Sequence, residues 1–209
     1  MTIGTLYHSG HVLVLARQAY ERASAQDTES EVSIALSAAA FEGFLNEIAH
    51  SFRDATLDER AVALAEVLAE CEEARLQPVF KFRLAIYALS QKFPSRGDTI
   101  VQRLAALMKL RSSLMHLRPE PVFTLDEAQL GYQGEQKPPS EVALLLAERV
   151  IVIPEKYSGT WRRLVSTPAV AKWGYNVCVA CMRAVAAAAP DGAVRDRMRL
   201  HVEFLADLA

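Results

Sequence analysis

An arginine and a histidine in the middle of the chain, Arg111 and His116, are the residues whose types and spacing best suit chemistry on a phosphate. A guanidinium binds phosphate oxygens bidentately and stabilises the charge that grows in a transition state. An imidazole takes up or releases a proton near neutral pH. The pair is therefore a candidate site for acid–base chemistry on a bound anion.

Arg111 and His116 lie on a predicted helix over about 98–118, which Asp98 can cap and which Pro119 and Pro121 end. Arg111 falls within the apolar stripe of this helix, where a guanidinium is costly unless it is paired or reaches water. We therefore predict a carboxylate partner or an anionic ligand at Arg111. The stripe consists of Ile100, Leu104, Leu107 and Leu114.

The spacing of the two residues sets a geometric condition on a shared site. On a straight helix, positions 111 and 116 point about 140° apart. The long arginine side chain, and distortion of the last turn before Pro119, reduce this separation. A second copy of the chain could also supply the missing group.

The other elements that must position this helix are also helices. Three prolines or proline pairs and the lack of a period predict a long irregular loop over about 119–140, with an extended piece at 122–125. Thr28 and Glu31 form a capping-box pattern at the start of the second helix. The predicted fold is all-α, a bundle of about six to eight helices in a single domain over 1–209. Its core lies at about 4–118, and C-terminal helices over about 140–208 pack on it. Besides 98–118, apolar periodicity and start signals predict helices at about 4–24, from 28, and at 58–75, 78–92, 140–150, 168–189 and 193–208.

Charge is balanced overall and uneven locally. The net charge of −2 does not indicate nucleic-acid or membrane binding by the chain as a whole. Two segments, 103–118 and 156–190, contain bases and no acids. They could form a phosphate-binding face, or they could be solvated helix faces. Their bases are Arg103, Lys109, Arg111, Arg118, Lys156, Arg162, Arg163, Lys172 and Arg183.

Cysteine and histidine usage argues against a metal site or a disulfide framework. The three cysteines include a lone CxxC, Cys178 and Cys181, inside an apolar helical run, which is typical of core residues. His8 and His11 lack an accompanying glutamate motif. We expect no metal, no cofactor, no membrane association and a cytoplasmic location.

The segment Arg111-Ser-Ser-Leu-Met-His116 resembles the Arg-x4-6-His motif of HEPN (higher eukaryotes and prokaryotes nucleotide-binding) domains. The alanine-rich segment from Ala38 to Glu47 is similar to the second helix of many bacterial HEPN-like proteins. The resemblance implies a helical bundle that dimerises across the motif and, in active members, metal-independent RNA cleavage.

The resemblance also implies roles for individual residues. Arg111 and His116 from two copies would form a composite catalytic site, in which Ser112 positions phosphate and Glu42 orients His116 or pairs with Arg111. Asn46 is a further supporting residue, and the bases expected to contact RNA are Lys109, Arg103 and Arg118.

Two functions remain open at this point. In active HEPN members the residue after the motif arginine is usually Asn, Asp or His, whereas this chain has Ser112. The first function is a HEPN-like ribonuclease that serves as a toxin or an antiphage defence protein and has a separate antitoxin. The second function is a non-catalytic HEPN-like module. Such a module would bind a nucleotide, an RNA or a partner protein.

Overall fold

The predicted all-α class is confirmed. A computed structural model of the chain describes residues 8–23, 27–52, 59–116, 123–125, 138–203 and 205–208. Within these ranges nine helices share one continuous hydrophobic core, and a single pair of short strands accompanies them.

The first two helices, α1 (Ser9–Ala23) and α2 (Asp27–Ser51), lie side by side over most of their length. The start of α1 is capped from a distance by Glu47, whose carboxylate accepts hydrogen bonds from the backbone N–H groups of His8 and Ser9 at 2.5 and 2.7 Å. The Ser9 hydroxyl also donates to Glu47. A carboxylate at a helix N-terminus satisfies free N–H groups and complements the helix dipole. Glu47 therefore fixes the angle between α1 and α2.

The next pair consists of α3 (Glu59–Glu73) and α4 (Pro78–Ser90). Proline at the first position of α4 suits a helix start because its missing N–H would be unpaired there. Lys81 of α4 is buried, and its ammonium forms an ion pair with Glu72 of α3. This pair ties the two helices together.

The helix that carries Arg111, α5 (Thr99–Met115), begins after Asp98 as predicted and ends three residues earlier than predicted. The predicted side-chain cap is absent, because the Asp98 carboxylate accepts the backbone N–H of Ser95 at 2.9 Å instead of one from α5. Its buried face packs against α2 and against residues 168–188, which form a long helix later in the chain. The buried side chains of α5 are Val101, Leu104, Ala106, Leu107, Leu110 and Leu114.

The segment between α5 and the last long helix contains only short elements. The predicted extended piece is a strand, β1 (Phe123–Leu125), which pairs antiparallel with β2 (Tyr157–Gly159). Most of the predicted loop 119–140 lies outside the described residues. Two helices, α6 (Ser140–Ala147) and α7 (Trp161–Val165), complete this part, and α7 was not predicted.

The last two helices are α8 (Pro168–Ala188) and α9 (Ala193–Val202). Thr167 caps α8 by accepting the backbone N–H of Val170, as expected for a Thr-Pro start. α8 is in contact with α1, α2, α4, α5 and α9, so it forms part of the central core. Gly174 lies where α8 meets α5; a Cβ atom there would lie 3.2 Å from the Leu107 side chain. Glycine therefore permits the close approach of these two helices.

One helix in the described part of the chain, Thr28–Ser51 of α2, is long and apolar enough to cross a membrane. The central helix of a globular core meets the same criteria of length and composition. α2 packs against α1, α3, α4, α5 and α8.

Candidate functional site

Arg111 and Glu42 form an ion pair between α5 and α2. Nη1 of Arg111 lies 3.3 Å from Oε1 of Glu42. The Arg111 side chain remains 41% exposed and the Glu42 side chain 31% exposed. The sequence predicted a carboxylate or an anion at Arg111, and Glu42 is that carboxylate.

Arg111 is more exposed to solvent than its position in the apolar stripe of α5 predicted. Position 111 does fall on the side of α5 that carries Leu104 and Leu107, both fully buried. The guanidinium nevertheless reaches the edge of the α2–α5 contact, where two-fifths of the side chain meets solvent. A long side chain can leave a buried face in this way. Among the described residues, a single hydrogen bond uses one of the five donors of the guanidinium. The group therefore has capacity for a second anion.

His116 is the C-cap residue of α5 and is exposed. Its backbone is extended (φ −103°, ψ 96°), and its N–H donates to the carbonyl of Ser112. No described residue makes a hydrogen bond or ion pair with its imidazole. The structure therefore places the ring in solvent at the end of α5, and within one chain it shows no contact between His116 and Arg111.

Ser112 and Lys109 lie on the same exposed side of α5 as His116. Their helical phases are within about 40° of that of position 116, whereas Arg111 differs by about 140°. Ser112 is exposed, and Lys109 donates from Nζ to the Ser140 hydroxyl at 2.7 Å. Lys109, Ser112 and His116 thus share one surface, and Arg111 lies around the helix from it.

The remaining predicted site residues do not join this surface. Asn46 is exposed one turn after Glu42 on α2, facing the groove between α2 and α3. Arg103 forms a 2.8 Å ion pair with Glu148, two turns before Arg111. Arg118 lies outside the described residues.

A second glutamate–arginine pair on α2 was missed by the sequence analysis. The Glu31 carboxylate accepts two hydrogen bonds from Arg162, from Nε at 2.8 Å and from Nη2 at 2.5 Å. It also accepts a hydrogen bond from the hydroxyl group of the buried Ser166 at 2.6 Å. The predicted capping box is therefore wrong, because Thr28 lies inside α2 and Glu31 binds α7 and the residue after it.

The pKa of Glu31 reflects these contacts. Burial raises the pKa of the carboxyl group, but the hydrogen bonds from Arg162 and Ser166 and the charge of Arg162 lower it by more. The pKa lies below the ordinary value of 4.5 as a result.

The cysteines occupy the core, as predicted. Cys178 and Cys181 are fully buried on α8, and burial raises the pKa of both thiols above the ordinary value. A thiol in this state is a poor nucleophile and a poor metal ligand. Cys71 is buried on α3.

Among the described residues there is no group of three or more His, Cys, Asp or Glu side chains that could hold a metal ion. His8 and His11 are both exposed.

No protein-family model, curated protein or solved structure matches the chain.

Proposed function

We propose that this chain is a HEPN-like, metal-independent endoribonuclease that acts as a homodimer. The observation that carries the proposal is the state of Arg111, which one longer hydrogen bond to Glu42 holds at a solvent-exposed edge. Its remaining N–H groups suit bidentate binding of a phosphate.

The reaction needs a base and an acid in addition to the guanidinium. The 2′-OH loses its proton, an O2′–P bond forms, and the P–O5′ bond breaks as the 5′ oxygen takes up a proton. One imidazole cannot easily serve as base and acid in the same step, so two copies of His116 would share these roles. Two copies of Arg111 would bind the phosphate oxygens.

Two features of α5 support assembly from two copies. On a regular helix, positions 111 and 116 point about 140° apart, which favours a site that a second chain completes. Met115, next to His116, is an apolar side chain that is 63% exposed. Burial of such a residue against a second chain is favourable.

Ser112 and Lys109 have supporting roles in this proposal. Both lie on the exposed face of α5 near His116, where the hydroxyl can position a phosphate and the ammonium can attract the RNA backbone. Glu42 holds Arg111 in place until RNA arrives.

The second candidate function is a non-catalytic HEPN-like module that binds a nucleotide, an RNA or a partner protein. The observation that favours it is the neutralisation of Arg111 by Glu42, together with Ser112 in the position after the arginine. Such a chain would bind without cleaving.

One experiment separates the two functions. Pure protein is incubated with RNA in EDTA, and the ends of any fragments are analysed. Cleavage that leaves 2′,3′-cyclic phosphate and 5′-hydroxyl ends, and that is lost in His116→Ala, supports the ribonuclease. His11→Ala, which removes another exposed histidine, is the matched control and should cleave normally.

Two other outcomes count against the enzyme. Tight RNA or protein binding without cleavage favours the module. Wild-type cleavage by well-folded His116→Ala and Arg111→Ala shows that the site assignment is wrong.

A cellular role follows from the ribonuclease proposal. An unregulated ribonuclease is harmful, so use as a toxin or in antiphage defence would need a separate antitoxin protein or other control. Growth arrest on expression of the wild type but not of His116→Ala supports this role. Normal growth with active, abundant wild-type protein contradicts it.

A further inference from the structure

We propose that a cleft along α8 binds a small organic phosphate that carries an apolar group. The cleft has a volume of about 890 Å³ and lies between α8, the first turns of α5 and the end of α6. Ligand pockets in proteins are commonly of this size. The site is separate from the Arg111–Glu42 pair, and the proposal does not depend on RNA cleavage.

The floor of the cleft is apolar. Ile100 of α5 and Trp173 and Val177 of α8 line it, and Val150 adds a further aliphatic side chain. Val177 is buried, and Ile100 and Trp173 are partly buried and pack against the core. The indole N–H of Trp173 already donates to Glu148 at 2.9 Å. The ring is therefore held in place, and a ligand meets a rigid apolar surface.

The walls of the cleft carry four bases, and two of them are unpaired among the described residues. Arg103 is paired with Glu148, and Arg183 is paired with Asp207. Arg149 and Lys172 also line the cleft, and neither has an ion-pair or hydrogen-bond partner for its side chain among the described residues. The acids at the cleft are thus already engaged, and two positive charges remain for a ligand. The two unpaired positive charges and the apolar floor of the cleft together favour an anion that carries an apolar group.

The backbone at Arg149 offers a sharp test. Arg149 follows α6 in the left-handed conformation, with φ 57°, where glycine is usually preferred. The N–H groups of Arg149 and Val150 bond back to the carbonyls of Leu146 and Leu145. Arg149→Gly therefore removes the charge at a position where glycine suits the backbone. Loss of binding in this variant cannot be attributed to a misfolded helix end.

The chain contains a matched control for this substitution. Arg75, just after α3, has the same left-handed conformation, with φ 52°, and is exposed outside the cleft. Arg75→Gly makes the same chemical change in the same backbone setting. Lys172→Met removes the second free charge and keeps an unbranched side chain only one atom shorter.

Binding is measured by calorimetry on the full chain with 1-naphthyl phosphate, dodecyl phosphate, inorganic phosphate and neutral 1-naphthol. We expect at least one of the two organic phosphates to bind at least about tenfold more tightly than inorganic phosphate or naphthol. A preference for the naphthyl compound identifies an aromatic ligand, and a preference for the dodecyl compound identifies an acyl-type ligand. Arg149→Gly and Lys172→Met should each weaken binding about fivefold or more, and Arg75→Gly should not.

Three results would overturn the proposal. The first is that neither organic phosphate binds more tightly than inorganic phosphate. The second is unchanged binding in both cleft variants. The third is an equal loss of binding in Arg75→Gly. His116→Ala should bind as the wild type does, so failure here and failure of the ribonuclease proposal are distinguishable.

Discussion

Two of the glutamate–arginine pairs on α2 differ in how completely their charges are satisfied. Glu31 makes two hydrogen bonds with Arg162 and a third with buried Ser166, and the side chains of the ion pair are 21% and 31% exposed. Glu42 makes one 3.3 Å contact with Arg111, and those side chains are 31% and 41% exposed. The first arrangement engages the Glu31 carboxylate in three hydrogen bonds and ties α7 to α2. The second leaves a guanidinium that can exchange its partner.

The largest difference between the pairs should appear in activity. We expect Arg111→Ala to lower the RNA cleavage rate about 100-fold to 1,000-fold, because it removes a donor to the charged transition state. The matched variant Arg162→Ala should cleave normally per folded molecule. Rates are measured with the fraction of folded protein determined in parallel. An equal loss of cleavage rate in Arg111→Ala and Arg162→Ala would show that the two pairs do not differ in their importance for activity.

The next effect is on stability. We expect Glu31→Ala to lower the free energy of unfolding by about 2 kcal/mol, because Arg162 loses its carboxylate partner and buried Ser166 keeps only the Arg162 carbonyl as acceptor. Urea unfolding should show a lower midpoint with an unchanged slope. Glu21→Ala removes an exposed pair with Arg17 and should have almost no effect. A shift for Glu31→Ala no larger than for Glu21→Ala would show that the network contributes little.

The pH dependence of stability should follow the lowered pKa of Glu31. A carboxyl group with a lower pKa in the folded state stabilises the protein fully above its unfolded pKa, about 4.5 here. That contribution is lost as the pH falls through the folded-state value. Wild type should therefore lose more stability than Glu31→Gln between pH 5 and the acid limit of folding. Parallel stability profiles for the two proteins in this range would contradict the shift.

The smallest expected effect is the stability change of Glu42→Gln. A single partly exposed contact contributes about 0.5 kcal/mol or less, so the unfolding midpoint should hardly move. RNA affinity should instead rise about twofold to fivefold, because Arg111 no longer has an anionic competitor. Filter binding at fixed salt measures the RNA affinity. Glu47→Gln, which weakens the cap on the start of α1, is the destabilised comparison variant. Weaker RNA binding by a stable Glu42→Gln would show that Glu42 does not compete with RNA for Arg111.

Local signals predicted the helices that carry the candidate sites. Thr167 with Pro168 marks the start of α8, because capping and proline geometry act within a few residues. Asp98 directly precedes α5, although its side chain does not cap that helix. The core positions of Cys178 and Cys181 also follow from their apolar surroundings. The same reasoning failed at Glu31, where a capping-box pattern was present but the carboxylate binds an arginine 131 positions away.

The contacts between helices that form the candidate sites could be predicted only in part. Apolar periodicity indicated that Arg111 needed an anion, but only the packing of α2 on α5 identifies Glu42 and leaves the Arg111 side chain 41% exposed. The cleft along α8 combines Arg149, Lys172 and Ile100 from three separate segments. Basic composition near Lys172 suggested a phosphate-binding face, but nothing local indicates which charges acquire partners.

The central claim, a composite site that needs His116 from two chains, is tested by mixing. Wild type and His116→Ala are combined in varying proportions under conditions that allow subunits to exchange, and cleavage is measured at constant total protein. If only dimers with two intact histidines act, an equal mixture keeps about a quarter of the wild-type activity, and activity falls as the square of the wild-type fraction. His11→Ala should leave activity unchanged in the same mixtures. A linear fall, to about half in the equal mixture, would show that each chain acts alone and would contradict the shared site.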